Sequence, residues 1–105
     1  MSTETLKLKT RIIAELRNIF DPEIPVNVYD LGLIYGIEIN KKGRVLITMT
    51  LSTPGCPVAD MIESDIRNRV AELEGVSSAE TEIVWEPPWN EAMMTEEARL
   101  ELGFL

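Results

Sequence analysis

The chain of 105 residues has no histidine, one cysteine and only 6% aromatic residues. Each shortage removes a class of function. One cysteine cannot close an internal disulfide, so nothing in the thiol content calls for an oxidising compartment. Without histidine there is no Ser-His-Asp or Cys-His pair to activate a nucleophile. A tetrahedral zinc or iron–sulfur site usually takes four ligands, mostly Cys or His, which this chain cannot supply alone. Neither a Walker-type nor a Rossmann-type glycine loop occurs. No apolar run approaches the ~20 residues of a membrane span. The polar start, Met-Ser-Thr-Glu, lacks the apolar region of a signal peptide. The expected location is cytoplasmic, without a membrane partner, and the chain reads as no enzyme.

Basic residues are scarce too: 10 against 18 acidic, for a net charge of −8. In sequence they are scattered, at Lys7, Lys9, Arg11, Arg17, Lys41, Lys42, Arg44, Arg67, Arg69 and Arg99, and form no stripe. A field of that sign repels phosphate backbones, so nucleic acid is excluded as a partner.

What is present fits one domain over residues 1–105, with an ordinary 45% apolar content. Ile12, Ile13, Leu16, Ile19 and Phe20 recur at helical spacing, predicting a helix over Thr5 to Phe20. Pro22 and Pro25 end it, and 21–30 reads as a stiff loop. Leu31, Leu33, Tyr35, Ile37 and Ile39 alternate, as do Val45, Ile47, Met49 and Leu51; Asn40-Lys41-Lys42-Gly43 between them reads as a hairpin turn. Thr48, Thr50 and Ser52 are off-phase, which predicts a solvated second face. Ala59, Ile62, Ile66, Val70 and Leu73 form the stripe of a helix from about Pro57 to Leu73, with Gly75 past its end. A third strand is expected over Ala79 to Glu86, with Thr81, Ile83 and Trp85 inward. A terminal helix starts near Thr95, with Gly103 at its end. The fold class is α/β (α+β): two layers, helices on one face of a small mixed sheet. Strand order is not legible from the pattern.

Three segments carry possible chemistry. Thr53-Pro54-Gly55-Cys56-Pro57 joins a strand to a helix. Pro57 suits the first helical position, which makes Cys56 the N-cap, where the helix dipole favours a thiolate. Such a thiolate could bind a metal, attack an electrophile or accept sulfur; a lone cysteine is also often an inert core residue, and the residues alone leave both readings open. Asp21-Pro22-Glu23 presents carboxylates, hard ligands for iron. Asp before Pro is also a common turn arrangement, and that reading is the stronger one here. In Trp85-Glu86-Pro87-Pro88-Trp89, Trp85 is in phase with the core. Trp89, Met93 and Met94 are the candidates for partner contact, or else pin the terminal helix.

The segments DPEIPVNVYDLGLIY (21–35), TPGCP (53–57) and WEPPWNEAMMTEEARLELGF (85–104) together resemble the SufT/PaaD-like family linked to iron–sulfur cluster maturation. The resemblance implies a fold similar to the NifU C-terminal domain and an accessory role in building clusters or delivering them to apoproteins. It implies a reactive Cys56, supported by Asp21, Glu23 and Thr53. Unlike the NifU domain, the chain has no CxxC, and unlike PaaD proper it has no cysteine-bearing tail; it is closest to the stand-alone SufT type. Any iron or iron–sulfur cluster would be held transiently at Cys56, with none stably bound by a monomer. The expected partners are iron–sulfur assembly proteins and client apoproteins, and homodimerisation stays open. The alternative is an adaptor of the same pathway with a structural cysteine.

Overall fold

The computed structural model describes residues 3–21, 24–51 and 59–103. Helix α1 spans Thr3–Leu16, strands β1 and β2 span Ile34–Ile39 and Arg44–Met49, helix α2 spans Ala59–Ala71, strand β3 spans Ser78–Ile83, and helix α3 spans Glu96–Glu101. A short 3-10 turn, Glu91–Met93, precedes α3. The sheet order is β1-β2-β3, with β1 antiparallel and β3 parallel to β2. The sheet is therefore mixed, as the sequence pattern predicts, and α2 is the crossover that a parallel pair requires.

The helix-facing side of β2 is Val45, Ile47 and Met49, all buried. Leu8, Ile12 and Leu16 of α1 and Ile62, Ile66 and Val70 of α2 complete one core with them. Burying such a side chain contributes about 1.5–3 kcal/mol each, so this shared face is what holds the layers together. The Thr81 hydroxyl on β3 donates to Glu63 Oε2 of α2 at 2.6 Å, tying helix to sheet at the layer edge. The hairpin forms where expected. Asn40 Oδ1 accepts from the amides of Lys42 and Arg44, and Gly43 takes φ +79°. A Cβ on Gly43 would lie 2.5 Å from the Gly75 carbonyl oxygen, so only glycine fits there.

Several expectations are corrected. The first helix ends at Leu16 rather than running to Phe20, so Ile19 and Phe20 lie beyond it, and Phe20 is exposed. The simple alternation through Leu33, Tyr35 and Ile37 is broken by a bulge between Ile34 and Gly36. An extra residue shifts the phase, so Ile34, opposite Met49, and Ile37, opposite Ile47, share the core side. Leu31 and Leu33 are buried, but in the segment before β1 rather than in the strand. The second sheet face is not simply solvated: Thr50 is fully buried. Trp85 is 45% exposed, because β3 ends at Ile83 and the alternation stops there. Ser52, the Pro57 helix start and the inward place of the Ala59 side chain lie outside the described residues.

Candidate functional site

The site begins at the carboxyl end of β2. The Thr50 amide donates to the Leu33 carbonyl at 2.8 Å, and Leu51 is buried, so the chain is held firmly until it enters 52–58. It re-emerges as α2, with Asp60 in the first turn. The neighbouring strand ends on the same rim. The Val84 amide donates to the Met49 carbonyl at 2.8 Å, bringing Trp85 and Glu86 alongside. In sheets with parallel strands, the carboxyl ends are where connecting loops gather into ligand sites.

The segment after α1 reaches this end as well. Ile19 is buried, its carbonyl accepts from the Val28 amide at 2.8 Å, and Phe20 pairs with Asn27 in an isolated bridge. Asp21 follows, buried at 7% exposure, and its carbonyl accepts from the Ile24 amide at 3.3 Å. Ile19 and Phe20 share a depression of about 590 Å³ with Asp60, Met61, Ile62 and Asp65 of α2. The residues leading into the Asp21–Glu23 segment and those leading out of the Cys56 segment thus face one hollow. Phe20 and Met61 expose apolar side chains around it. Cys56, Thr53 and Glu23, and the N-cap position assigned to Cys56, lie outside the described residues.

Behind the rim is a cluster that the sequence reading missed. The Tyr35 hydroxyl donates to the Pro87 carbonyl at 2.7 Å and reaches Met93 Sδ at 3.3 Å. Burial holds its pKa above the usual tyrosine value; the Thr50 side chain beside it opposes that rise, and the Glu86 charge adds to it. The Thr50 hydroxyl itself is buried outside hydrogen-bond geometry with any described residue. The only sequence signal was a tyrosine in an alternating strand, which the bulge turned out of phase.

Of the residues named for partner contact, Met94 is buried at 5% exposure and belongs to the core, which corrects that assignment. Trp89 is half-buried, and its indole N–H donates to the Leu31 carbonyl at 2.7 Å. Met93 packs over Gly32, where a Cβ would collide with the Met93 carbonyl. Together they fasten the C-terminal segment to the loop before β1. Thr95 caps α3 by accepting from the Ala98 amide at 3.2 Å, as expected.

Fold and rim describe a small two-layer α/β domain in which Ile19 and Phe20, after α1, meet the first turns of α2 at one end. The model of the family described as "Iron-sulfur cluster assembly protein" matches residues 9–82. A Porphyromonas gingivalis protein named "Fe-S protein maturation auxiliary factor" is 50% identical over 105 residues, 100% of each chain. A Staphylococcus aureus protein, "Fe-S protein maturation auxiliary factor SufT", is 34% identical, covering 81% of this chain and 97% of its own. A crystal structure of a "Domain of Unknown Function DUF59" from Bacillus anthracis superposes with a TM-score of 0.87 at 32% identity, over 94% of both chains. The chain belongs to this iron–sulfur cluster assembly family.

Proposed function

We propose that the chain is an accessory factor in iron–sulfur cluster maturation, helping to build clusters or pass them to apoproteins. The observation that carries this reading is full-length, 50% identity to a protein named as a maturation auxiliary factor. Its role is auxiliary: it assists other proteins and turns over no substrate of its own. Cys56 is the working thiol, making transient contact with iron, sulfur or a cluster. Asp21, Glu23 and Thr53 support it. The hollow shared by Phe20 and the first turns of α2 favours this grouping, because it brings the flanks of both segments together. Iron or the cluster is cargo, and thiolates suit it better than carboxylates do. The partners are assembly proteins and client apoproteins, and the exposed Phe20 and Met61 offer apolar contact around the hollow they share. No helix among the described residues is long and apolar enough to cross a membrane.

The test is complementation of a deletion strain. Wild-type chain should restore the activity of cluster-dependent enzymes, and Cys56→Ala should not. Full rescue by Cys56→Ala would instead favour the adaptor reading, with a structural cysteine. Failure of the wild-type chain to restore activity would remove the maturation role altogether.

A further inference from the structure

The basic residues that look scattered in sequence are gathered by the fold. Lys7 and Arg11 stand one turn apart on α1, Lys41 and Lys42 sit in the hairpin, and all four line one cavity of about 600 Å³ at the hairpin end of the molecule. All four side chains are exposed. None is in any of the described salt bridges, which occupy Arg17 and Arg69. Two carboxylates, Glu4 and Glu74, line the cavity with them, so cations outnumber acids two to one in a chain of net charge −8. Leu8 and Ile39 add apolar surface, while Gly43 and Gly75 contribute bare backbone. Arg11 reaches over that backbone: a Cβ on Gly75 would sit 3.6 Å from its Nη2.

Unpaired cations held together repel one another, and an anion relieves that repulsion. Three lysines and one arginine are point-charge and forked donors suited to phosphate or carboxylate groups. The cavity volume is in the range of small-molecule sites, roughly 300–1,000 Å³. Its apolar patches suit an organic body better than a bare inorganic ion. We propose that this cavity binds a small organic polyanion carrying two or more phosphate or carboxylate groups. The site lies at the opposite end of the sheet from the β2–α2 loop and stands independently of the maturation role.

The test titrates the isotope-labelled full chain with citrate and, separately, with ADP, at low salt, and follows its amide resonances. Saturable shifts should appear at Lys7, Leu8, Arg11, Asn40 to Gly43 and Gly75, with a dissociation constant below ~1 mM. Binding by ADP alone assigns phosphate chemistry, by citrate alone carboxylate chemistry, and by both a general polyanion site. Lys41→Gln/Lys42→Gln should weaken binding at least ~10-fold, with less binding as salt rises. These side chains are exposed, so the variant keeps its fold, which the unperturbed resonances of the rest of the chain will verify. Arg67→Gln, exposed on α2 away from the cavity, should bind like wild type. The proposal is overturned if neither probe saturates, if the shifts map elsewhere, or if the double variant binds as tightly as wild type. Binding of a glutamate-rich peptide there when both small probes fail would also overturn it, in favour of a protein partner.

Discussion

The two ends of the sheet are built from the same secondary structure and differ in how their charges are used. Just past the end of α1, toward the carboxyl end of β2, an arginine is partnered. Arg17 pairs with Asp30 at 3.5 Å and lies 5.0 Å from the centre of the Tyr29 ring. Arg69, in the last turn of α2, bridges Glu15 and Asp65 and donates to the Asn18 carbonyl at 3.3 Å, tying the two helices together. At the hairpin end, Lys7, Arg11, Lys41 and Lys42 converge with no such pairing among the described residues. Paired surface ions add little stability, about 0–1 kcal/mol, but they order the loops they touch. An end that leaves cations unpaired suits a ligand arriving from solution. Identical α/β architecture thus supports two unlike surfaces.

The largest expected effect breaks the rigid end. Gly32 has φ +82° and lies against the Met93 carbonyl, so Gly32→Ala imposes both strain and a collision. We expect a loss of about 2 kcal/mol or more in denaturant unfolding, within the range of backbone-strain effects. Gly43→Ala at the hairpin end, with φ +79° and the 2.5 Å approach to Gly75, should cost a similar amount. If both substitutions were neutral, the close backbone approaches at the two ends would not be what fixes them.

A smaller effect separates the two hydroxyls under the rim. Tyr35→Phe removes the bond to the Pro87 carbonyl and should cost about 1 kcal/mol. Thr50→Val removes a buried hydroxyl outside hydrogen-bond geometry with any described residue and should be neutral or stabilising. Equal losses in both would mean that Thr50 is bonded after all. Tyr35 also predicts a pH dependence. Its pKa is raised in the folded chain above the usual 10.0, so the folded state keeps its proton longer than the unfolded state does. That contribution is intact below about pH 10 and is lost as pH rises through the folded value. The alkaline limb of a stability profile should accordingly fall less steeply in Tyr35→Phe.

The comparison also shows what a sequence can reveal. Elements with a sustained period were legible in their middles: Ile12 and Leu16 of α1, Val45, Ile47 and Met49 of β2, Ile62, Ile66 and Val70 of α2, and the Asn40–Gly43 turn stand where the pattern places them, while Ile19 and Phe20, Leu51 and Leu73 lie past the ends of their elements. Misreadings arose where a pattern was extended past its physical cause. The bulge at Ile34/Gly36 inserts a residue that no alternation rule foresees. Trp85 kept the phase of β3 but lies beyond its last pair, Met49 with Ile83. Thr50 looked like a solvent-facing residue because nothing local announces that the segment around Pro87 and Met93 folds back over Tyr35. The basic cluster was hidden for another reason: its members come from α1 and from a hairpin some thirty residues away, and only the topology brings them together. Of the thiol site, the flanks are what the fold reveals, and the motif itself was legible only as residues and resemblance.

The smallest perturbation sharpens the thiol end without altering the fold. A cysteine at a helix N-terminus should have a pKa below the ~8.5 of an unperturbed thiol. Alkylation rates of Cys56 measured against pH should show that depressed value. A value at or above the reference would return Cys56 to the inert reading.

The most direct measurement of the central claim is anaerobic reconstitution with iron and sulfide, followed by size-exclusion chromatography with absorbance and iron quantitation. The chain has one cysteine and no histidine, whereas a [2Fe–2S] cluster takes four ligands. Two chains contribute two Cys56 thiolates, and an added small thiol can complete the set. The account predicts a labile cluster that appears only with dimerisation or an added thiol and is absent in Cys56→Ala. A stable cluster on a strict monomer, persisting in Cys56→Ala, would contradict it.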